Sequence, residues 1–256
     1  MKTKQTWIIP MAGRGTRTSS LGDFKPFVLV GGEKMMYWLL VGLRSVVKAD
    51  DHVVFVTTEA FEHRFCVQHE LTVLVQRCVP NITWRLVIVP ETPPGPAATI
   101  YATRDYVDPA VPVVCINADQ FVQFDGDSLE CGKTGIVPVY ANFGDRSSFV
   151  TVSGNKITRI AEKEPISNLA SAGVYGLGLA AGLFEAISWQ MGHGIKTAGE
   201  FYVGPALNHL IDLGWYIRAA TAFAKFDLGN PDGIRRFEGV VAALYADWKR
   251  DCDACE

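Results

Sequence analysis

The chain has 256 residues, of which 48% are hydrophobic and 20% are charged. This length allows one large domain or two small ones, and the apolar content is ample for a buried core, which excludes a disordered or fibrous chain. The 24 basic and 27 acidic residues give a net charge of −3, which leaves no global positive field for a nucleic-acid backbone. We therefore expect no nucleic-acid partner, and any anion must be bound locally.

The N-terminal segment and the cysteines favour a soluble cytoplasmic protein. The apolar run before Gly13 is too short for a signal peptide, and no stretch approaches the ~20 apolar residues of a membrane span. Six cysteines are too few for a disulfide framework in a chain of this length. Cys252 and Cys255 lack the second pair that a zinc site would need, so we interpret them as reduced thiols.

The first half of the chain alternates short β-branched runs with longer amphipathic segments. This alternation predicts a parallel sheet with crossover helices. The predicted strands are Trp7–Met11, Val53–Thr57, Trp84–Val89 and Val111–Asn117, and the predicted helices are Met35–Val47, Glu59–Leu74 and Ala97–Tyr106.

The pattern changes at Gly135, where short strands separated by tight turns predict an antiparallel segment. The predicted strands of this half are Gly135–Ala141, Ser148–Val152, Ile157–Ala161, Gly173–Leu179 and Tyr216–Ala222, with helices at Leu183–Met191, Tyr202–Leu213 and about Pro231 to Trp248. We predict a single α/β domain over residues 1–256, with a doubly wound, mainly parallel sheet and an antiparallel cap. Residues 1–125 would bind a nucleotide, and residues 126–256 would bind a second substrate and supply the C-terminal helix.

Glycines and cations follow the first predicted strand, in Met11-Ala12-Gly13-Arg14-Gly15-Thr16-Arg17, and Lys25 comes shortly after. Glycines let backbone N–H groups approach phosphate oxygens, and Arg and Lys add positive charge. The segment lacks the P-loop pattern and the third glycine of a dinucleotide fingerprint. Taken alone, it would more often be a surface turn.

Two aspartates follow apolar runs: Asp119 after Val113–Ala118, and Asp227 after Ala222–Phe226. Either one alone could be a helix cap or a turn residue. Ligands of open α/β sheets bind outside the carboxyl ends of the strands, where both carboxylates are expected. Together they suit a shared Mg²⁺ ion, which prefers carboxylates, water and phosphate oxygens.

The glycine segment followed by Lys25-Pro26-Phe27 resembles the signature of the sugar-phosphate nucleotidyltransferases. These enzymes join a nucleoside triphosphate (NTP) to a sugar phosphate or a similar phosphorylated alcohol. Further segments resemble the family's motifs in the family's order: Val113–Gln120, Glu162–Ser167, Ala172–Tyr175, Glu200–Val203 and Phe226–Asp232. The fold implied is a Rossmann-like, GT-A-like nucleotidyltransferase fold, in a short stand-alone form without the extra domain of longer relatives.

The resemblance implies transfer of a nucleoside monophosphate to a phosphorylated acceptor, with release of pyrophosphate and with Mg²⁺ as cofactor. A sugar 1-phosphate is the expected acceptor, for surface polysaccharide synthesis. The implied catalytic residues are Arg17 at the β- and γ-phosphates, Lys25 at the α-phosphate, and Asp119 and Asp227 at the metal. The implied nucleotide-binding residues are Met11, Ala12, Gly13, Gly15, Thr16, Arg17, Lys25, Gly95 and Asn117. The acceptor would be bound by Lys163, at its phosphate, and by Gly173, Glu200 and Tyr202.

Other interpretations stay open on the sequence. The acceptor could be a small non-sugar phosphate used by a cytidylyltransferase, and the prolines around Gly95 leave the base unassigned. A GT-A-type glycosyltransferase would share the sheet but would carry an Asp-x-Asp motif, where this chain has Asn117-Ala118-Asp119. A non-catalytic regulatory homologue is a further alternative, because a fold does not fix a function. The chain could also form a homo-oligomer.

Overall fold

A computed structural model of the protein describes residues 4–13, 24–125 and 129–253, and side chains of the last helix as far as residue 245. The strands are β1 (Thr6–Pro10), β2 (Leu29–Val30), β3 (Glu33–Lys34), β4 (His52–Thr58), β5 (Thr83–Val89), β6 (Val113–Ile116), β7 (Gln120–Phe124), β8 (Thr134–Ala141), β9 (Ser148–Ser153), β10 (Lys156–Glu162), β11 (Leu169–Ser171), β12 (Val174–Leu177) and β13 (Tyr216–Asp227). The α-helices are α1 (Met35–Leu43), α2 (Glu59–Phe65), α3 (Val67–Cys78), α4 (Pro96–Tyr101), α5 (Ala180–Gly192), α6 (Val203–Asp212) and α7 (Pro231–Asp253).

Four strands of the first half form a parallel sheet in the order β5-β4-β1-β6. The inner strands β1 and β4 are buried along almost their whole length. Strand β5 lies at the edge, and its side chains alternate between exposed and less exposed positions over most of its length. A parallel sheet covered on both faces requires continuous apolar strands, which explains why β1 and β4 have no polar alternation. This part confirms the crossover pattern predicted from the sequence.

The whole sheet is mixed rather than mainly parallel, so the predicted doubly wound, mainly parallel sheet is not confirmed. Strand β12 pairs antiparallel with both β6 and β8, and the sheet continues through β11, β9, β10 and β13 to β7, making eleven strands in all. Short connections such as the turn between β9 and β10 at Gly154, where φ is +60°, allow only antiparallel pairing, because parallel neighbours need a long crossover. The expected antiparallel cap is thus part of the same sheet.

Several elements differ from the sequence-based predictions. The helix predicted over Glu59–Leu74 is divided into α2 and α3 at Cys66, whose backbone is left-handed with a φ of 48°. Strand β13 continues to Asp227, five residues beyond its predicted end. Strand β7 was not predicted at all, and its pairing with β13 shapes the site described below.

Helices cover both faces of the sheet. One apolar core lies under α4, α5 and α6, and a second lies under α1 and α3. Helix α7 packs through Ile234 and Phe237 against a third cluster that includes Trp38, Phe121 and Phe226. Among the residues that the structure describes, none of the helices has both the length and the apolar character needed to cross a membrane.

Candidate active site

Lys25 and Asp119 form an ion pair at the carboxyl end of the sheet. Asp119 lies between β6 and β7, and Lys25 begins a short 3₁₀ turn that ends at Phe27. The side chains of Lys25 and Asp119 are 13% and 28% exposed, so water screens their charges only in part. The structure therefore brings together the cation and the carboxylate that the sequence predicted to act on the nucleotide and the metal.

Asp227 reaches the same place through β13. It pairs with Gln120 across the β7–β13 ladder, and the next residue, Leu228, donates its N–H to the Asp119 carbonyl at 2.9 Å. The Asp227 carboxylate accepts hydrogen bonds from the Gly229 N–H at 2.8 Å and from the Asn230 side chain at 2.7 Å. These bonds fix the carboxylate in its position on the sheet edge.

Gly229 marks the point where the three charged groups meet. A Cβ atom at this position would lie 2.6 Å from Lys25 Nζ, 2.8 Å from Asp227 Oδ1 and still closer to Asp119 Oδ2. Real Cβ atoms do not approach other heavy atoms so closely, so any side chain at position 229 would displace at least one of these charged groups. Glycine at this position leaves the three groups where they are.

Lys225 is a charged residue of this centre that the sequence analysis missed. It lies two residues before Asp227 on β13, and its ammonium donates a hydrogen bond to Gln120 Oε1. Burial lowers the pKa of Lys225, while the carboxylates of Asp227 and Asp119 oppose that shift. A signal existed in the sequence, because residues two apart in a strand point to the same face of the sheet.

Gly173 sits against the side chains that flank Asp119. Its backbone has a φ of +71°, and a Cβ atom on it would lie 2.6 Å from Gln120 Oε1 and 2.7 Å from Asn117 Nδ2. The Gly173 carbonyl accepts the Asn117 backbone N–H at 2.9 Å and the Gln120 side-chain N–H at 3.3 Å. Gly173, a predicted acceptor-binding residue, is thus in contact with Asn117, a predicted nucleotide-binding residue.

Lys163, Tyr202 and Glu200 form a second group, which we call the acceptor cluster. Lys163 Nζ donates to the Tyr202 hydroxyl at 2.7 Å and lies 4.7 Å from the centre of the Tyr202 ring. The same hydroxyl donates to the Glu200 carboxylate. Lys163 has a φ of +58°, a left-handed conformation that is uncommon outside glycine. Three residues that the sequence assigned to the acceptor are therefore in contact with one another.

The loop at Gly95 packs directly on the segment that leads to α6. A Cβ atom on Gly95 would lie 2.6 Å from the backbone N and O of Phe201 and 3.0 Å from Glu200 Cβ. The Phe201 N–H donates to Pro94, and the Phe201 carbonyl accepts from Ala97. The proposed base-binding loop and the acceptor cluster therefore share a backbone contact.

A hydrogen-bonded chain runs from Glu162, the sequence neighbour of Lys163, to Gly173. Ser148 donates to the carboxylate of Glu162, and Tyr175 interacts with both Ser148 and Ser171. The hydroxyl of Ser171 then accepts the Gly173 N–H at 3.1 Å. Burial raises the pKa of Tyr175 to about 12, so this hydroxyl remains protonated as a hydrogen-bond donor.

The remaining predicted nucleotide-binding residues come after β1 in the sequence. The side chains of Met11 and Ala12 are buried in the core, and the Met11 N–H donates to the Val56 carbonyl at 2.8 Å. Among the described residues other than its chain neighbours, none lies within 4 Å of where a Cβ atom on Gly13 would be. Gly15, Thr16 and Arg17 lie outside the described residues, and so does Cys255. The four cysteines whose side chains are described, at positions 66, 78, 115 and 131, are free thiols.

The fold can be compared with solved structures. The nucleoside-diphosphate-sugar pyrophosphorylase from Vibrio cholerae RC9 is 22% identical, and the match covers 91% of this chain and 99% of that protein with a TM-score of 0.76. This chain has the same fold. No protein-family model matches the sequence, and comparison with curated proteins finds no significant relative.

Two further similar structures are those of enzymes named for different activities. The inositol-1-phosphate CTP transferase from T. maritima is 16% identical, with 91% of this chain and 93% of that chain covered and a TM-score of 0.69. A UDP-glucose pyrophosphorylase complexed with UDP-glucose is 15% identical, with 94% and 99% covered and a TM-score of 0.70. These likenesses confirm the nucleotidyltransferase-type fold that the sequence motifs predicted.

The donor set at Gly229 fits a magnesium ion. In the parts of the chain that are described, no group of three or more His, Cys, Asp or Glu side chains could hold a metal. Mg²⁺ does not need such a cage, because it binds through one or two carboxylates together with water and substrate phosphates. Asp119 and Asp227 provide two carboxylates whose oxygens approach the same point beside Gly229.

Proposed function

We propose that this protein is a nucleotidyltransferase, which transfers a nucleoside monophosphate from an NTP to a phosphorylated acceptor and releases pyrophosphate. The observation that carries this proposal is the convergence of Lys25, Asp119 and Asp227 at Gly229. A strand end that presents one ammonium and two carboxylates suits a reaction between two anions. Catalysis of phosphoryl transfer consists mainly of positioning and charge neutralisation.

Asp119 and Asp227 would hold Mg²⁺, which supplies positive charge to the phosphates when it is bound. Lys25 would bind the α-phosphate, and Arg17 the β- and γ-phosphates of the same nucleotide. In the structure Lys25 is paired with Asp119, so this ammonium already lies at the carboxylate where the reaction takes place. The backbone around Gly13 and Gly15 would approach the triphosphate.

The acceptor would enter from the side of Gly173 and the acceptor cluster. Lys163 would bind the acceptor phosphate, while Glu200 and Tyr202 would contact the rest of the molecule. A phosphate monoester has a second pKa of about 6, so it is already ionised at neutral pH and needs no general base. This agrees with a site built from Lys, Asp, Glu and Tyr rather than from a histidine.

The test is a screen for pyrophosphate release by the purified protein. Four NTPs are crossed with sugar 1-phosphates and with small phosphorylated alcohols and amines, with and without Mg²⁺. We expect one base and one acceptor class to give Mg²⁺-dependent release, and the nucleotide-linked product to be found by mass spectrometry. A parallel assay supplies a nucleotide sugar with a non-phosphorylated acceptor, and product there would instead identify a glycosyltransferase. No turnover with any pair of NTP and phosphorylated acceptor would contradict the proposal.

A further inference from the structure

The described centre contains two ammonium groups and two carboxylates: Lys25 and Lys225 against Asp119 and Asp227. The roles proposed above use Lys25, Asp119 and Asp227 and leave Lys225 without one. Placing an ammonium in a partly buried sheet position costs solvation free energy, which must be offset by partners. A bound substrate anion would be such a partner for the Lys225 ammonium.

The position of the Lys225 ammonium is fixed by Gln120. Gln120 is fully buried, accepts from Lys225 through Oε1 and donates from Nε2 to the Gly173 carbonyl. An ammonium has three N–H donors, and Gln120 uses one of them. Among the described residues no other hydrogen bond to this ammonium is found, which leaves donors for a ligand.

Lys225 stands on the acceptor side of the centre. Gln120 Oε1, to which it is bonded, would be 2.6 Å from a Cβ atom on Gly173, the glycine that opens β12. Lys25 instead reaches Asp119 from the 3₁₀ turn that follows the glycine segment. The two lysines therefore approach the carboxylates from two different parts of the fold, one at the nucleotide side and one beside Gly173.

The charge of the acceptor phosphate calls for more than one cation. A phosphate monoester carries about −1.5 to −2 charges at pH 7, and Lys163 alone supplies one positive charge. Gly173 is connected to Glu162, the neighbour of Lys163, through Ser171, Tyr175 and Ser148. Glu162, at one end of this hydrogen-bonded chain, is next to Lys163 in the sequence, and Gly173, at the other end, accepts a hydrogen bond from Gln120, the partner of Lys225.

We propose that Lys225, held in place by Gln120, is a second binding residue for the phosphate of the acceptor. This inference rests on the proposed function and names a residue that no sequence motif assigned. Lys163 contacts the phosphate from the acceptor cluster, and Lys225 contacts it beside Asp119 and Asp227, where the new bond to the α-phosphate forms. The two ammonium groups together neutralise the charge of the phosphate. The phosphate oxygen that attacks the α-phosphate stays beside Asp119 and Asp227.

The direct test uses inorganic phosphate and Mg²⁺-pyrophosphate as probes in thermal-shift titrations, in which the rise of Tm with ligand concentration gives each Kd. The variants are Lys225→Met, which removes the charge but keeps a long side chain, and Lys225→Arg, which keeps the charge. Lys133→Met serves as the matched control, because Lys133 is exposed and lies immediately before β8. The Tm without ligand reports whether each variant is folded.

We expect Lys225→Met to raise the Kd of inorganic phosphate about tenfold or more, because a charge-assisted hydrogen bond is lost. The Kd of Mg²⁺-pyrophosphate should change less than about threefold, Lys225→Arg should keep most of the phosphate affinity, and Lys133→Met should match the wild type. An unchanged Kd of phosphate in Lys225→Met overturns the proposal, and so does an equal loss for phosphate and pyrophosphate.

Kinetics separate this inference from the proposed function. With the substrates that the pyrophosphate screen identifies, Lys225→Met should raise the acceptor KM about tenfold and leave the NTP KM within about twofold. If the screen finds no turnover while phosphate binding still depends on Lys225, the proposed function fails and the phosphate site stands. If turnover is found and Lys225→Met keeps both the acceptor KM and the phosphate Kd, the inference fails alone.

Discussion

The centre at Gly229 and the acceptor cluster fix their charged side chains in different ways. The centre at Gly229 consists of three residues from distant segments, Lys25, Asp119 and Asp227. Backbone hydrogen bonds and β7–β13 pairing fix their positions. A Cβ atom at Gly229 would lie less than 3 Å from each of the three side chains. In the acceptor cluster, Lys163 and Glu200 are exposed and Tyr202 is half-buried, and the bonds that join the three residues run between their side chains. Exposed pairs of this kind contribute about 0–1 kcal/mol to stability.

Under the proposed function, this difference predicts which kinetic constant each region affects. A centre that is fixed before substrate binds can stabilise charge as it develops, which affects kcat. Exposed side chains bonded mainly to each other can exchange those bonds for bonds to a ligand, which affects KM. Substitutions in the two regions should therefore have different kinetic effects.

The largest effect is expected for Asp119→Asn. Loss of a metal carboxylate should lower Mg²⁺-dependent activity at least about a hundredfold, because transition-state charge stabilisation of several kcal/mol is removed. Steady-state kinetics at saturating Mg²⁺ measure this loss. The control is Asp212→Asn at the exposed end of α6, which should keep wild-type activity. A normal kcat in Asp119→Asn would show that the metal assignment is wrong.

Gly229→Ala tests the close packing of the centre. The new methyl group must displace Lys25, Asp119 or Asp227, and we expect kcat to fall about thirtyfold, since misplacing reacting groups by about 1 Å can cost a hundredfold. The matched control is Gly239→Ala in α7, where a Cβ atom meets nothing within 4 Å. That control should keep its activity and gain about 0.5–1 kcal/mol in unfolding free energy, from helix propensity. Equal kinetics for the two variants would contradict the steric role of Gly229.

Lys163→Ala tests the acceptor cluster. It should raise the acceptor KM about tenfold and leave the NTP KM nearly unchanged, because a charge-assisted contact of about 1.5–3 kcal/mol is lost. Thermal unfolding should be close to that of the wild type, since Lys163 is exposed. An effect confined to kcat would place Lys163 in the catalytic centre and would remove the contrast between the two regions.

Glu200→Gln should have the smallest effect. For a sugar phosphate the acceptor KM should rise only about threefold and should not depend on salt, because an amide still bonds to hydroxyl groups. A cationic acceptor would lose a full charge partner, so a large, salt-sensitive rise would identify that class instead. The acceptor KM measured at low and high ionic strength decides between them.

The sequence alone determined much of the local structure. Alternating β-branched and amphipathic runs predicted the parallel strands β1, β4, β5 and β6, because the strands of a covered parallel sheet are rich in apolar residues. The motifs around Lys25, Asp119 and Asp227 predicted a shared site, and the structure brings these residues together. Asp119 and Asp227 could be placed in this way because each follows or ends a strand, whereas Lys25 begins a 3₁₀ turn and was assigned to the site through its motif.

Only the tertiary structure decided the pairing of distant strands and what that pairing brings into contact. Strand β7 and the last residues of β13 become strands by pairing with each other, and this pairing places Lys225 on Gln120. The mixed sheet likewise depends on β12 joining β6 to β8. Gly229 resembles any turn glycine in the sequence, because the atoms that exclude a Cβ atom there include those of Lys25 and Asp119, far away in the chain. Local patterns record which residues prefer a strand, a helix or a turn, whereas contacts between distant segments arise only when the packed chain selects one arrangement.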